Sequence, residues 1–176
     1  MRYLTLFVFL AFTFNISAQK LYDYSVEKRI KELGIELTTP AQPVANYVGA
    51  IRSGTLIFLS GKISKDQNGE LIKGKLGKDL TVEQGYEAAK NCGISILSTL
   101  KEELGDLNKV VRIVKVTGYV NSDPNFTDQS KVVNGFSDLM VEVFGKRGKH
   151  ARAAIGVASL PLGVAVEVEM IVEARP

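Results

Sequence analysis

The last long segment of the chain constrains the fold most strongly. Residues 150–172 read HARAAIGVASLPLGVAVEVEMIV. Two short runs rich in valine and alanine, 151–157 and 164–172, flank a Leu-Pro-Leu-Gly turn, and this pattern predicts two β-strands. Because side chains alternate along a strand, Glu167 and Glu169 should share one face, while the apolar residues between them point the other way.

Two periodicities run through the rest of the chain. Apolar residues at three- and four-residue spacing predict helices, and runs of β-branched and aromatic residues predict strands. The predicted helices cover 25–33, 81–104 and 128–144. The predicted strands before the last segment cover 45–52 and 55–63, which a Ser53-Gly54 hairpin loop joins, and 110–120. Two long helices against one mixed sheet make a two-layer α+β domain, whose other sheet face a symmetric oligomer would bury.

Composition excludes several classes of site. The 176 residues carry a formal net charge of +3, with one cysteine and one histidine. An internal disulfide is therefore impossible, and a closed zinc site cannot be built. The small charge argues against nucleic acid or an anionic membrane as the main partner. Cys92 falls inside the helix over 81–104, which favours a small buried apolar residue over a nucleophile.

The N-terminus has the features of a signal peptide. Met1 and Arg2 supply a positive start, an apolar run follows that is too short to span a bilayer, and Ala18 is a suitable cleavage residue. We expect residues 1–18 to be removed after Ala18. Residues 19–176 would then form a single exported domain, periplasmic or secreted, with no membrane anchor.

Arg152 lies at the start of the strand over 151–157. If this strand neighbours the one that carries Glu167 and Glu169, the guanidinium could approach a carboxylate. The sequence pattern alone also allows a solvated salt bridge at a sheet edge, which would contribute little to stability.

Four segments together resemble the RidA/YjgF family of imine and enamine deaminases. The segment from Arg152 to the Glu-x-Glu strand is similar to the terminal signature of the family. Tyr47-Val48, LSGKI at 59–63 and Val133-Asn134-Gly135 match in order and spacing, so the resemblance covers residues 40–174. A longer branch of the family is most similar, with NGFSDL and VFG before His150-Ala151-Arg152.

The resemblance implies a chorismate-mutase-like fold. In that fold a mixed six-stranded sheet is covered on one face by two long helices, and three sheets form a central barrel in a homotrimer with clefts between subunits. It implies that Arg152 binds a substrate carboxylate, that Glu167 positions water, and that Tyr47, Gly61 and Asn134 line the cleft. The implied reaction is hydrolysis of small 2-imino or enamine carboxylic acids to 2-keto acids and ammonia, without a cofactor.

Some positions depart from the family pattern. Ala154 stands where a cysteine is common, Lys62 and Ser64 replace glutamine and proline, and His150 replaces a proline and either lines the cleft or caps a loop. The polar residues 65–78 predict an exposed loop at the entrance.

Two other functions remain open from the sequence. One is a trimer that binds a small carboxylated metabolite without turnover. The other is a ribonuclease, which the lysines at 73, 75 and 78 support weakly, because they have no aromatic neighbours on which bases could stack.

Overall fold

The computed structural model describes residues 20–40 and 45–176. The predicted signal peptide, residues 1–18, lies outside these described residues. Within them, no helix is both long enough and apolar enough to cross a membrane.

In residues 20–40 and 45–176, three α-helices form where the apolar periodicity predicts them. Helix α1 spans Val26–Glu32, α2 spans Val82–Leu104 and α3 spans Gln129–Phe144. The predicted caps are present at both ends of α2: Thr81 and Gln84 form a capping box, and Gly105 ends the helix in a left-handed conformation. The capping residues of α2 thus fix its position in the chain independently of packing.

Five strands form one mixed sheet. They are β1 (Ala50–Ser53), β2 (Leu56–Ile63), β3 (Val110–Asn121), β4 (Ala151–Val157) and β5 (Val166–Ala174). Their order across the sheet is β1-β2-β5-β3-β4, with β3 and β4 parallel and all other pairs antiparallel. The two-layer α+β arrangement is confirmed.

The six strands implied by the resemblance are not present: the sheet of the described residues has five, and residues 65–78, predicted as a loop, add only isolated bridges. One of these bridges pairs Lys73 with Val164, so β5 begins at Val166 instead of at 164. The predicted exposed loop is also anchored to the core, since the Leu76 side chain is fully buried.

The first strand is shorter than predicted, beginning at Ala50 instead of 45. Its ladder with β2 ends at the Ala50–Leu59 pair, just before the register of β2 against β5 shifts between Leu59 and Lys62. The hairpin loop is Gly54-Thr55 instead of Ser53-Gly54, because Ser53 pairs with Leu56. Gly54 takes the positive φ of 61° that such a turn requires.

The two faces of the sheet have different environments. Side chains of β3 and β5 that point toward α2 and α3 are fully buried, among them Val116, Val168 and Val172. The opposite face, called the open face below, carries exposed apolar residues: Ile51 is 61% exposed, Phe58 40% and Ile155 42%. A face with this many exposed large apolar side chains is typical of an interface.

Candidate functional site

A stripe of polar groups on α3 holds the Arg152 guanidinium. Arg152 Nη1 donates to Asn134 Oδ1 at 2.9 Å and to Ser137 Oγ at 3.0 Å, and Nη2 donates to the Ser130 carbonyl at 3.4 Å. Ser130, Asn134 and Ser137 are four and three residues apart, so they lie on one side of the helix. Arg152 pairs with Val116 in the sheet, which places it on the helix-covered face of the edge strand β4.

The partners of Arg152 are all neutral. Among residues 20–40 and 45–176, no carboxylate forms an ion pair with this guanidinium. Its Nε–H has no hydrogen-bond acceptor in the same part of the chain. An arginine always carries its charge and presents donors in a fork that fits a carboxylate. Arg152 can therefore donate its Nε–H to a carboxylate that comes from outside the chain.

His150 lies behind this group. Its Nε2 is 3.1 Å from Ser137 Oγ, and its Nδ1 is 2.6 Å from the Gly148 carbonyl oxygen. Burial lowers the pKa of His150 below its usual range; the Gly148 carbonyl acts against this shift and the charge of Arg152 adds to it. The side chain thus contacts the loop at Gly148, as one of the two alternatives expected, and it also contacts Ser137; its place in a cleft stays a prediction.

Glu167 forms a second group on the open face. A side chain at position 61 would overlap the Glu167 carboxylate, since a Cβ there would lie 3.0 Å from Glu167 Cδ. The register shift of β2 falls at this place, and such bulges are common beside active sites. Burial, followed by the charge of Glu169, raises the pKa of Glu167 above its usual range. Such a shift suits a carboxylate that must accept a proton.

Tyr47 belongs to a segment that lies beside the part of β2 that contains Gly61. It lies just before β1 and is 57% exposed. The Ser60 hydroxyl donates to the Val48 carbonyl and the Ser60 amide to the Gly49 carbonyl, at 2.6 and 3.0 Å. These bonds hold the segment that carries Tyr47 beside Gly61.

The five predicted site residues therefore fall into two groups. Arg152 and Asn134 are in contact on the helix-covered side, which we call the arginine wall together with Ser130 and Ser137. Gly61 and Glu167, with Tyr47 nearby, form what we call the glutamate wall.

One chain does not bring these walls together. The strand order places β3 between β4 and β5, so the condition under which Arg152 would approach a glutamate is not met. Glu167 pairs with Tyr119 and Arg152 with Val116, and these positions of β3 point to opposite faces.

The sequence reading missed Ser130 and Ser137. Their only signal was the spacing of small polar residues with Asn134 along one side of α3. Cys92 is fully buried with its thiol 3.6 Å from the Val166 carbonyl, which confirms its structural role, and burial raises the pKa of the thiol. In the described ranges, no three His, Cys, Asp or Glu side chains are grouped so that they could hold a metal ion.

Residues 27–174 match the family described as "YjgF/chorismate_mutase-like, putative endoribonuclease". The chain is 46% identical over 149 residues to protein TCP17 of Trypanosoma cruzi, covering 84% of this chain and 93% of that protein. A crystal structure of Atu1372, a protein of unknown function from Agrobacterium tumefaciens, superposes with a TM-score of 0.79. It shares 41% identity and covers 85% of this chain and 92% of its own.

A third relative has a named activity. The mouse 2-iminobutanoate/2-iminopropanoate deaminase is 27% identical over 143 residues, covering 81% of this chain and 91% of the mouse protein. The match over most of the chain confirms the chorismate-mutase-like fold, with five strands and three helices in this case. The chain is a member of the RidA/YjgF family.

Proposed function

We propose that this protein hydrolyses small 2-imino or enamine carboxylic acids to 2-keto acids and ammonia, in clefts between the subunits of a homotrimer. The observation that carries the proposal is the state of Arg152. Its guanidinium is fixed by neutral acceptors on α3 and has no carboxylate partner within the described chain. A fixed and unpaired guanidinium is suited to bind a small carboxylate through two parallel hydrogen bonds.

The need for a second copy follows from the separation of the two walls. A small substrate cannot contact Arg152 and Glu167 of the same chain, because the sheet lies between them. A neighbouring copy that covers the open face and extends past the edge strand β4 would bring its glutamate wall to the arginine wall of the first. The exposed Ile51, Phe58 and Ile155 would be buried by the same contact.

The reaction in such a cleft begins with the substrate carboxylate on Arg152. Glu167 of the neighbouring copy accepts a proton from a water molecule as the water oxygen adds to the C=N carbon, and it passes this proton to the imine nitrogen. The resulting carbinolamine carries one hydroxyl and one amino group on the same carbon. Glu167 then takes the hydroxyl proton as the C=O bond forms and delivers it to the amino nitrogen as the C–N bond breaks, so ammonia leaves, one water is consumed and the carboxylate is regenerated.

A second function, binding without turnover, has one observation in its favour. The arginine wall has no free base of its own, since His150 Nε2 faces Ser137. Arg152 could therefore hold a stable keto acid even where the glutamate wall contributes nothing. A ribonuclease activity has weaker support, because Lys75 of the lysine-rich loop donates to the Ala158 carbonyl.

A coupled assay tests the proposal. An amino-acid oxidase supplies imino acid in situ, and the rate of ammonia release is measured with and without the mature protein. We expect acceleration by the wild type and by Arg112→Ala, a matched control at an exposed ion pair with Glu173. Arg152→Ala should lose both acceleration and pyruvate binding. Pyruvate binding that depends on Arg152 without any acceleration would favour the binding function, and an active Arg152→Ala variant would refute both.

A further inference from the structure

We propose that His150 is a positioning residue for Arg152 and that it acts through the hydroxyl of Ser137. The inference rests on the carboxylate-binding role proposed above for Arg152. Its basis is a continuous hydrogen-bonded chain from the Gly148 carbonyl through His150 and Ser137 to the guanidinium. Gly148, His150 and Ser137 need not touch the substrate themselves.

The direction of each hydrogen bond follows from the chemistry of its ends. A carbonyl oxygen only accepts, so His150 Nδ1 carries a proton and donates it to Gly148. Burial lowers the pKa of the half-buried imidazole; the Gly148 carbonyl acts against this shift and the charge of Arg152 adds to it, so the neutral form is favoured. Its Nε2 is therefore an acceptor.

The Ser137 hydroxyl must then donate its proton to His150 Nε2. This orientation directs the oxygen lone pairs away from the ring, and one of them accepts from Arg152 Nη1 at 3.0 Å. A serine inside a helix has a competing choice, which is to donate to the carbonyl four residues earlier. Donation to His150 instead holds the hydroxyl in the orientation in which its oxygen accepts from the guanidinium.

The environment of the imidazole supports a fixed ring. The Phe136 ring packs against it edge-on with a centroid distance of 6.5 Å. Arg152 on β4 is the charged group that acts on it, and α3 contributes the neutral Ser137 and Phe136. Both ring nitrogens already have partners within the chain, so His150 acts on the site through Ser137 instead of as a free acid or base.

Three variants separate this role from general packing. His150→Gln keeps an acceptor near the position of Nε2, whereas His150→Asn keeps a polar atom only near Nδ1. Ser137→Ala removes the link itself. Pyruvate dissociation constants are measured by calorimetry for each variant and for the Ser137→Ala/His150→Asn double variant, with thermal unfolding recorded in parallel.

We expect His150→Asn and Ser137→Ala to weaken pyruvate binding about tenfold each, as loss of one hydrogen bond to a charged group would do. His150→Gln should bind nearly as the wild type does, and the double variant should be no weaker than either single variant. Equal defects in the Gln and Asn variants, or additive losses in the double variant, would overturn the role of His150.

Two further measurements keep the outcomes distinct. If Arg152→Ala binds pyruvate as the wild type does, the proposed site itself fails; if only Arg152→Ala loses binding, the site stands and the role of His150 fails. His150 is the only histidine of the chain, so its ¹⁵N signals in the untagged protein are unambiguous. A protonated Nδ1 with a bare Nε2 is expected, and the opposite tautomer would contradict the inference without any variant having to fold.

Discussion

The carboxylate of Glu167 lies against the backbone of Gly61 on the neighbouring strand, in the space that a side chain at position 61 would occupy. We predict that Gly61→Ala displaces the carboxylate and lowers kcat about 10²-fold, the cost typical of a misplaced catalytic group. The affinity for pyruvate should change little, since Arg152 belongs to the other wall. Steady-state kinetics and calorimetry on the same preparation check both parts.

Gly49→Ala is the matched control for this substitution. A Cβ at position 49 would meet Thr99 Cγ2 at 3.3 Å and Lys62 Nζ at 3.8 Å, with no carboxylate nearby. Its kcat should remain close to that of the wild type. Equal losses in the two variants would show that the close packing of Gly61 and Glu167 has no catalytic meaning.

The rate should depend on pH through Glu167. A base must be ionised, and burial with the nearby Glu169 raises the pKa of this carboxyl. Activity should therefore fall, as pH is lowered, at a pH above the usual glutamate range. Glu169→Gln removes the like charge, so the acidic limb of the kcat/KM profile should move to lower pH. Glu173→Gln changes a carboxylate on the same strand that is paired with Arg112 at 3.2 Å, and it should leave the acidic limb at the wild-type pH. An acidic limb that does not move in Glu169→Gln would contradict the assignment of Glu167 as the base.

The open face should control assembly. We predict that residues 19–176 form a trimer by light scattering and that Phe58→Asp dissociates it, because a carboxylate would replace an exposed apolar side chain at the proposed interface. Activity should be lost with assembly although Arg152 is untouched. Val141→Asp tests the same chemistry on α3, where Val141 is 37% exposed away from the open face, and it should remain trimeric. A wild-type monomer with full activity would refute the two-copy site.

Local patterns in the sequence predicted the elements of this fold well, because helix caps and side-chain alternation depend on neighbouring residues. Apart from the hairpin loop at Gly54-Thr55, the predictions that failed depended on distant ones. The register shift in β2 shortens β1, and the Lys73–Val164 bridge delays the start of β5. The order that places β3 between β4 and β5 is also a long-range property, so the separation of Arg152 from Glu167 was not visible in the sequence.

The same distinction applies to the site. Arg152 and Glu167 were identified from the family resemblance, but Ser137 and Ser130 became visible only when α3 was placed over β4. Two of the predicted residues, Arg152 and Asn134, proved to be in direct contact at 2.9 Å. That contact joins the Val133-Asn134-Gly135 segment to the terminal segment that begins at Arg152, two separate parts of the resemblance.

Complementation between two inactive variants tests the central claim most directly. Arg152→Ala retains an intact glutamate wall, and Glu167→Gln retains an intact arginine wall. The two are unfolded together in equal amounts, refolded, and assayed for imino-acid hydrolysis, with mixed assemblies verified by native mass spectrometry. As a control, Arg152→Ala is mixed with Asn134→Ala, whose defect lies in the same wall.

In randomly mixed cyclic trimers about a quarter of the clefts would combine two intact walls. The account therefore predicts recovery of about a quarter of the wild-type activity from two variants that are each inactive alone. The Arg152→Ala and Asn134→Ala mixture should show only the mean of the activities of the two variants measured alone, because no cleft in it gains an intact arginine wall. Mixed assemblies of Arg152→Ala and Glu167→Gln that show no recovery would contradict a site shared between copies.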